Sequence, residues 1–101
     1  MMNIANANTE SEILTELGSR LKAFRIARQW QQQELADHAG INRTTLSKFE
    51  NGKGGRLDSL IKLLRSLNRL DALAAFLPEP TISPLALAKA KRKRPPQRVR
   101  K

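Results

Sequence analysis

The stretch from Trp30 to Gly52, WQQQELADHAGINRTTLSKFENG, decides the fold, because two short helical patterns meet in it at a tight turn. Gln31 stands at a position that can cap the first of these helices. Gly40 follows where the backbone can adopt a left-handed conformation at little cost, so this helix is predicted to end there. The apolar residues between them share one helical face: Leu35, Ala36 and Ala39.

The second helical pattern begins after Ile41, which returns an apolar side chain to the core, and after Asn42, a good N-cap residue. Leu46 and Phe49 face inward at i,i+3 spacing, and the pair Asn51–Gly52 ends the helix. A helix this short is marginal alone in water, so packing must hold it rigidly. Four polar residues are left facing outward: Arg43, Thr44, Ser47 and Lys48.

Together these residues resemble the Cro/C1-type (XRE) helix-turn-helix regulators of bacteria and their phages, over roughly residues 17 to 70. The family pattern has an apolar residue and Gln before Glu-Leu-Ala, then Ala-Gly-apolar, a polar cap and Glu-x-Gly. All pieces occur here in order: Trp30, Gln32, Glu34-Leu35-Ala36, Ala39-Gly40-Ile41, Asn42 and Glu50-Asn51-Gly52. Trp30 departs from the family's usual Leu, so a larger ring must pack between the first and second helices or stay partly exposed.

Three further helices are predicted outside this motif. The first runs from a cap at Asn8, Thr9 or Ser11 to about Gln29. Its apolar face is predicted to hold Ile13, Leu14, Leu17, Leu21 and Phe24. After the KGG loop, a fourth helix has an apolar stripe of Leu57, Leu60, Ile61, Leu64 and Leu67. A short fifth helix has the sequence DALAAFL, and two prolines terminate it.

The resemblance implies an all-α fold: a five-helix lambda-repressor-like DNA-binding domain with an extended, basic C-terminal tail. The expected divisions of the chain are a flexible N-terminus at 1–10, the helix-turn-helix domain at 11–77, a Pro-containing extension at 78–90 and a disordered basic tail at 91–101. At 101 residues the chain has room for one small domain, whose core is built from Leu, Ile and Ala.

The net charge of +10 is concentrated near the C-terminus. Residues 89–101, KAKRKRPPQRVRK, hold eight of the 19 Lys and Arg residues and no acid, so they account for +8. Prolines and like-charge repulsion argue against stable structure there. Two interpretations stay open: an arm that contacts phosphates, which a neighbouring DNA-binding module favours, or a solvated tail that raises solubility and the encounter rate.

The sequence offers little for catalysis or metal binding. It has no Cys and one His, His38, which stands beside Asp37 without a second His or a nucleophile motif nearby. We therefore expect no enzyme activity, no metal and no cofactor. No apolar run is long enough to span a bilayer, and the N-terminus lacks the features of a signal peptide, so a cytoplasmic location without a membrane partner is expected.

The resemblance also implies roles on DNA. The first residues of the family's recognition helix reach base edges in the major groove, and here these are Arg43 and Thr44, with Ser47 and Lys48 one turn later. An arginine can donate two hydrogen bonds to guanine, and a threonine methyl group can contact thymine. The backbone amide of Gln32, at the start of the second helix, is expected to donate to a phosphate. Further candidates for phosphate contact are Thr45, Asn51, Lys53 and Arg56.

Two charged residues receive a structural role from the same resemblance. Arg25 and Glu50 match a pair that forms a largely buried salt bridge in several family members. We expect this pair to tie the first helix to the recognition helix. Loss of DNA binding on changing either residue would then be indirect, because an uncompensated buried charge destabilises the fold.

The segment from Pro78 to Ala90, PEPTISPLALAKA, lies outside the motif, and Ser83 with Pro84 is expected to begin a short helix. Several large apolar residues there and in the fifth helix need a surface that shields them from water. They are Leu73, Phe76, Leu77, Leu85 and Leu87. Two interpretations stay open: a symmetric dimer contact, which the two-fold half-sites read by such regulators favour, or packing on the chain's own domain.

These observations predict a sequence-specific double-stranded DNA-binding transcriptional regulator, a homodimeric repressor or autorepressor reading an inverted repeat through the major groove. A finer resemblance is to HipB-type antitoxins, which autoregulate an operon encoding a HipA-like kinase toxin. One alternative is therefore an antitoxin or adaptor that acts mainly by binding a HipA-like kinase or another operon partner through residues 78–90. Another is non-specific binding of nucleic acid or an anionic membrane through the tail.

Overall fold

The computed structural model describes residues 3–81, 84–85 and 88–89, and within them the chain is helical and has no strand. A short 3₁₀ helix comes first, at Ile4–Asn6. Five α-helices follow: α1 Glu10–Ala27, α2 Gln32–Ala39, α3 Arg43–Glu50, α4 Leu57–Ser66 and α5 Asp71–Phe76. The predicted all-α, five-helix architecture is confirmed.

Local side chains determine where α1 begins and ends. Thr9 is the N-cap, and its hydroxyl accepts a hydrogen bond from the backbone N–H of Glu12 at 3.1 Å. The helix ends at Ala27, two residues before the predicted end, because Gln29 adopts a left-handed φ of 61°. The chain then folds back, and the N–H of Trp30 donates to the carbonyl oxygen of Arg25 at 3.2 Å.

The predicted apolar face of α1 is wrong except at Leu21. Ile13 is half-buried, and Leu14, Leu17 and Phe24 are 37%, 44% and 37% exposed. The buried residues of the helix are instead Glu16, Gly18, Leu21 and Arg25. The physical reason is Gly18, whose missing side chain lets α1 lie directly against the last turn of α3. A Cβ atom at Gly18 would overlap the carbonyl oxygen of Phe49.

The tight turn between α2 and α3 is built as predicted from Gly40, which has a φ of 74°. The N–H of Ile41 donates to the carbonyl oxygen of Ala36 at 3.0 Å and closes the end of α2. Asn42 occupies the N-cap position of α3, as predicted. Its side chain, however, makes no capping hydrogen bond. Packing rather than this cap therefore holds the start of α3.

The core lies where α3 packs on α1 and α2, and where α2 packs on α4. Leu35, Ala36, Leu46 and Leu63 are fully buried. The other buried apolar residues are Leu21, Phe49 and Leu67, with Trp30, Ala39, Ile41 and Leu60 packed against them.

The predicted stripe of α4 is displaced. Leu63, which the prediction omitted, is fully buried, whereas Leu57 is 60% exposed. Leu60, Ile61 and Leu64 are half-buried. The reason is that Leu57 is the first residue of the helix and lies beyond the edge of the core, while Leu63 and Leu67, at i,i+4 spacing, belong to the core cluster.

The fifth helix is the least covered, because none of its residues is buried. Of the predicted apolar contact set, Leu73 is half-buried, while Phe76, Leu77 and Leu85 are 64%, 76% and 78% exposed. Pro84 and Leu85 have helical backbone. Ser83, Leu87 and the basic tail lie outside the described residues.

Candidate nucleic-acid interface

One face of α3 is polar because its residues are spaced i, i+1, i+4 and i+5, which returns them to the same side of a helix. Together with two residues of the following turn, they line a shallow surface concavity of about 480 Å³. Every lining residue is polar or cationic, and none is a carboxylate. The lining consists of Arg43, Thr44, Ser47, Lys48, Asn51 and Lys53.

The opposite face of α3 anchors the helix. Leu46, Phe49 and Glu50 are all buried. At the C-terminal end, the N–H of Lys53 donates to the carbonyl oxygen of Lys48 at 2.8 Å. Polar side chains on the outward face therefore project from a backbone that the core holds fixed, as a rigid binding surface requires.

The buried face contains an ion pair that joins α1 to the end of α3. Arg25 Nε lies 2.7 Å from Glu50 Oε2, and Arg25 Nη2 lies 3.1 Å from Glu50 Oε1. The side chains are only 10% and 1% exposed. Arg25 Nη1 also donates to the carbonyl oxygen of Trp30 at 2.8 Å. The guanidinium thus connects α1, the α1–α2 turn and α3.

Gln32, the first residue of α2, connects this ion pair to the polar face. Its Nε2 donates to Glu50 Oε1 at 2.9 Å, while its Oε1 accepts from Arg43 Nη1 at 3.4 Å. The amide is half-buried, and the carboxylate of Glu50 fixes which end is the donor. A continuous chain of hydrogen bonds therefore runs from Arg25 in the core to Arg43 on the surface.

The remaining candidates for phosphate contact differ in position. Thr45 is half-buried and does not line the concavity. Arg56 has a highly exposed side chain, but its Nε donates to Asp58 Oδ1 at 3.1 Å and its Nη2 to Oδ2 at 3.3 Å. This hydrogen bonding holds the pKa of the Asp58 carboxyl below its usual range and raises the pKa of Arg56. Asp58 therefore competes with any anion for Arg56.

Sequence reasoning missed two features of this interface. One is the side chain of Gln32, for which only a backbone role was expected; no local pattern indicates its contact with Glu50, 18 residues away. The other is Gly18, and here a signal existed, because a glycine inside a helix is costly and usually has a packing reason. His38 is exposed, with its ring centroid 5.1 Å from that of Trp30.

The chemistry of the concavity favours an anionic ligand with hydrogen-bond acceptors. Arg43, Lys48 and Lys53 supply positive charge, and the hydroxyl and amide groups supply further donors. A guanidinium at the start of an exposed helix can pair with guanine or with a phosphate. No group of three or more metal-ligating side chains occurs in the described part of the chain.

The helix-turn-helix family model matches residues 21–73, more than half of the chain. The chain belongs to the helix-turn-helix family, of the XRE type, and is a DNA-binding regulator of that class. The matched region contains α2, α3 and every residue that lines the concavity.

Two relatives share the same level of similarity. The chain is 39% identical over 54 residues to the antitoxin HipB of Escherichia coli (strain K12), covering 52% of this chain and 61% of the relative. It is 39% identical over 54 residues to the antitoxin HipB of Escherichia coli O6:H1 (strain CFT073), covering 52% of this chain and 57% of that protein. The matched region is thus less than two thirds of each relative. Within the described residues, no helix has the length and hydropathy to cross a membrane.

Proposed function

We propose that this chain is a transcriptional repressor that acts as a homodimer and reads an inverted repeat by placing α3 in the major groove. The observation that supports this proposal is the carboxylate-free concavity on α3, whose backbone is anchored in the core. Arg43 and Lys48 donate to guanine, the Thr44 methyl group contacts thymine, and Ser47 bonds to either base of a pair. These four residues are our candidates for reading the sequence.

Phosphate contacts hold the helix in register. We assign them to the backbone amide of Gln32, which as the first residue of α2 has no intrahelical partner, and to nearby side chains. The side chains are Thr45, Asn51, Lys53 and Arg56. The Lys and Arg residues of 91–101 add contacts that do not depend on sequence.

The dimer follows from the size of the reading surface. One α3 presents only four base-reading side chains, so a two-fold dimer spanning half-sites about 34 Å apart doubles the sequence that is read. We place the contact at apolar residues after α4, which are Leu73 and Phe76 of α5, Leu77 at its end, and Leu85 and Leu87 of the extension.

Selection of bound duplexes from a randomised DNA pool, at near-physiological salt, tests the proposal. The full chain is compared with Arg43→Ala and with the matched control Lys62→Ala, an exposed cation of α4 outside the concavity. We expect one inverted repeat from the full chain and from Lys62→Ala. Arg43→Ala should weaken binding to that repeat by about tenfold to a hundredfold and relax one base position.

A variant with the Lys and Arg residues of 91–101 changed to Gln separates the tail from the motif. It should select the same repeat, with lower affinity and a shallower salt dependence. Tight, salt-sensitive binding without any enriched sequence would contradict the proposal and favour non-specific binding through the tail.

The similarity to the antitoxins supports a second function, that of an antitoxin or adaptor of a HipA-like kinase toxin. In this case the partner binds residues 78–90, and DNA binding serves autoregulation. Co-purification with the product of a neighbouring kinase-like gene tests it. The complex should survive Arg43→Ala but be lost when Leu85 and Leu87 are changed to Asp. Absence of any complex with the wild-type chain would remove this function.

A further inference from the structure

A second concavity, of about 370 Å³, lies between the C-terminal end of α1 and the turn from α4 to α5. It shares no residue with the polar face of α3. Its wall combines apolar side chains with two guanidinium groups. The lining consists of Phe24, Ala27, Arg28, Leu67, Asn68 and Arg69.

Both arginines are held by aromatic rings. The Cζ atom of Arg69 lies 4.4 Å from the ring centroid of Phe24, and that of Arg28 lies 4.7 Å from the ring centroid of Trp30. A guanidinium stacked on a ring keeps its N–H edges available for a carboxylate. Both cations therefore line the same concavity as the partly exposed Phe24.

Among the residues that the structure describes, no carboxylate forms an ion pair with Arg28 or Arg69. All nine carboxylates lie between Glu10 and Glu79, and the ion pairs there involve Glu16, Glu50 and Asp58, each with another arginine. Residues 82–101 contain no Asp or Glu. Arg28 and Arg69 are therefore available to pair with a carboxylate of another molecule.

The same chain exposes a segment with the opposite properties. Residues 71–79, DALAAFLPE, contain two acids and no base. Phe76 is 64% exposed and Leu77 is 76% exposed, and Glu79 beside them is exposed as well. This acidic, apolar segment matches the second concavity in charge and in polarity. Because Phe76 and Leu77 remain exposed in the folded chain, the segment does not cover the concavity of its own chain.

We propose that the second concavity receives residues 76–79 of a second copy of this chain. The exposed phenylalanine and leucine fill the apolar part, and Glu79 pairs with Arg28 and Arg69. A molecule that carries both complementary surfaces forms a two-fold dimer in which the contact is made twice. This inference rests on the proposed homodimer and specifies what the end of α5 contacts.

Charge reversal followed by mixing tests the contact. One variant carries Arg28→Glu and Arg69→Glu, and the other carries Glu79→Arg; Lys22→Glu, an exposed position of α1 outside the concavity, is the matched control. Self-association of the full-length chains is measured by sedimentation velocity, and circular dichroism verifies that each variant is folded.

We expect each reversed variant to self-associate about tenfold or more weakly than the wild type, because like charges then meet at both contacts. Mixing the two variants should restore the dimer. In the mixed dimer, the concavity with both reversed arginines receives the segment that carries Glu79→Arg, and the unchanged concavity receives the unchanged segment. Lys22→Glu should behave as the wild type. A wild-type chain that stays monomeric, reversed variants that dimerise normally, or a mixture without rescue would each overturn the inference.

The outcome is independent of DNA recognition, which the duplex selection measures. If mixing restores the dimer but no DNA repeat is enriched, the proposed contact is supported and the repressor function is contradicted. If a DNA repeat is enriched but mixing does not restore the dimer, the proposed contact is contradicted and the repressor function is supported.

Discussion

The carboxylate of Glu50 accepts two hydrogen bonds from Arg25, which lies 25 positions earlier in the sequence, at 2.7 Å and 3.1 Å. Replacing Arg25 by Met removes the charge partner of a side chain that is 1% exposed. We expect this change to cost about 3 kcal/mol or more of folding free energy. For a domain of this size the melting temperature should fall by roughly 12 °C or more.

The matched control for Arg25→Met is Lys22→Met, which removes an exposed cation from the same helix. Thermal unfolding followed by circular dichroism should show little change for this control. An unaltered melting temperature for Arg25→Met would reject the view that the pair stabilises the fold.

Gly18→Ala should destabilise the protein although alanine favours helices by about 1 kcal/mol over glycine. The added methyl group would meet the carbonyl oxygens of Phe49 and Glu50, which are backbone atoms and cannot rotate away. Overpacking of this kind costs about 1–3 kcal/mol. Denaturant unfolding should therefore give a lower midpoint for Gly18→Ala. A raised midpoint would show that α1 and α3 can separate without cost.

Gln32→Ala should weaken specific DNA binding by up to about tenfold, because Arg43 loses the amide oxygen that orients its guanidinium. The loss should be largest for duplexes carrying the base that Arg43 reads. Salt dependence should stay as in the wild type, since the backbone amide at this position remains. Fluorescence anisotropy with matched and single-substituted duplexes measures both properties. A uniform loss for all duplexes would assign the side chain to phosphate contact instead.

Asp58→Asn should strengthen DNA binding, because it removes the carboxylate that hydrogen-bonds to Arg56. A freed Arg56 can contact one more phosphate, so the salt dependence should steepen by about one unit of slope. The pKa of Asp58 is lowered in the folded protein, so the pairing is complete above the usual carboxyl pKa and is lost as the pH falls through the lowered value.

Between about pH 6 and pH 8, Asp58 therefore stays ionised and its pairing adds no pH dependence to binding. Measurement of the salt slope for both proteins at two pH values in this range checks the prediction. An equal salt dependence of DNA binding in Asp58→Asn and the wild type would show that Arg56 does not contact a phosphate.

The helix-turn-helix could be predicted because its signals are local. Gly40 needs a left-handed φ, and the apolar residues on both sides of it recur at helical spacing. The orientation of α1 could not be predicted in this way. Its leucines do not mark its buried side, because only Leu21 among the three is buried, and the helix packs through Gly18 and Arg25, whose partners are in α3.

The polar face of α3 could also largely be predicted from the spacing of its residues. Arg43, Thr44, Ser47 and Lys48 line one concavity, as their positions on a helix require. Spacing cannot predict whether each side chain already has a hydrogen-bond partner within the protein. Arg56 was indistinguishable from the others in the sequence, yet it hydrogen-bonds to Asp58 two residues later. Whether a cation is available depends on such a neighbour rather than on its position.

The two faces of α3 differ in role. Leu46, Phe49 and Glu50 are buried and hold the helix in place, whereas the four outward side chains are not part of the core. Substitutions at those four outward positions therefore leave the folding free energy almost untouched. Under the proposed function, the DNA sequence that the protein recognises can therefore change one residue at a time without loss of folding stability. The domain is for the same reason a suitable scaffold for engineering regulators with chosen target sites.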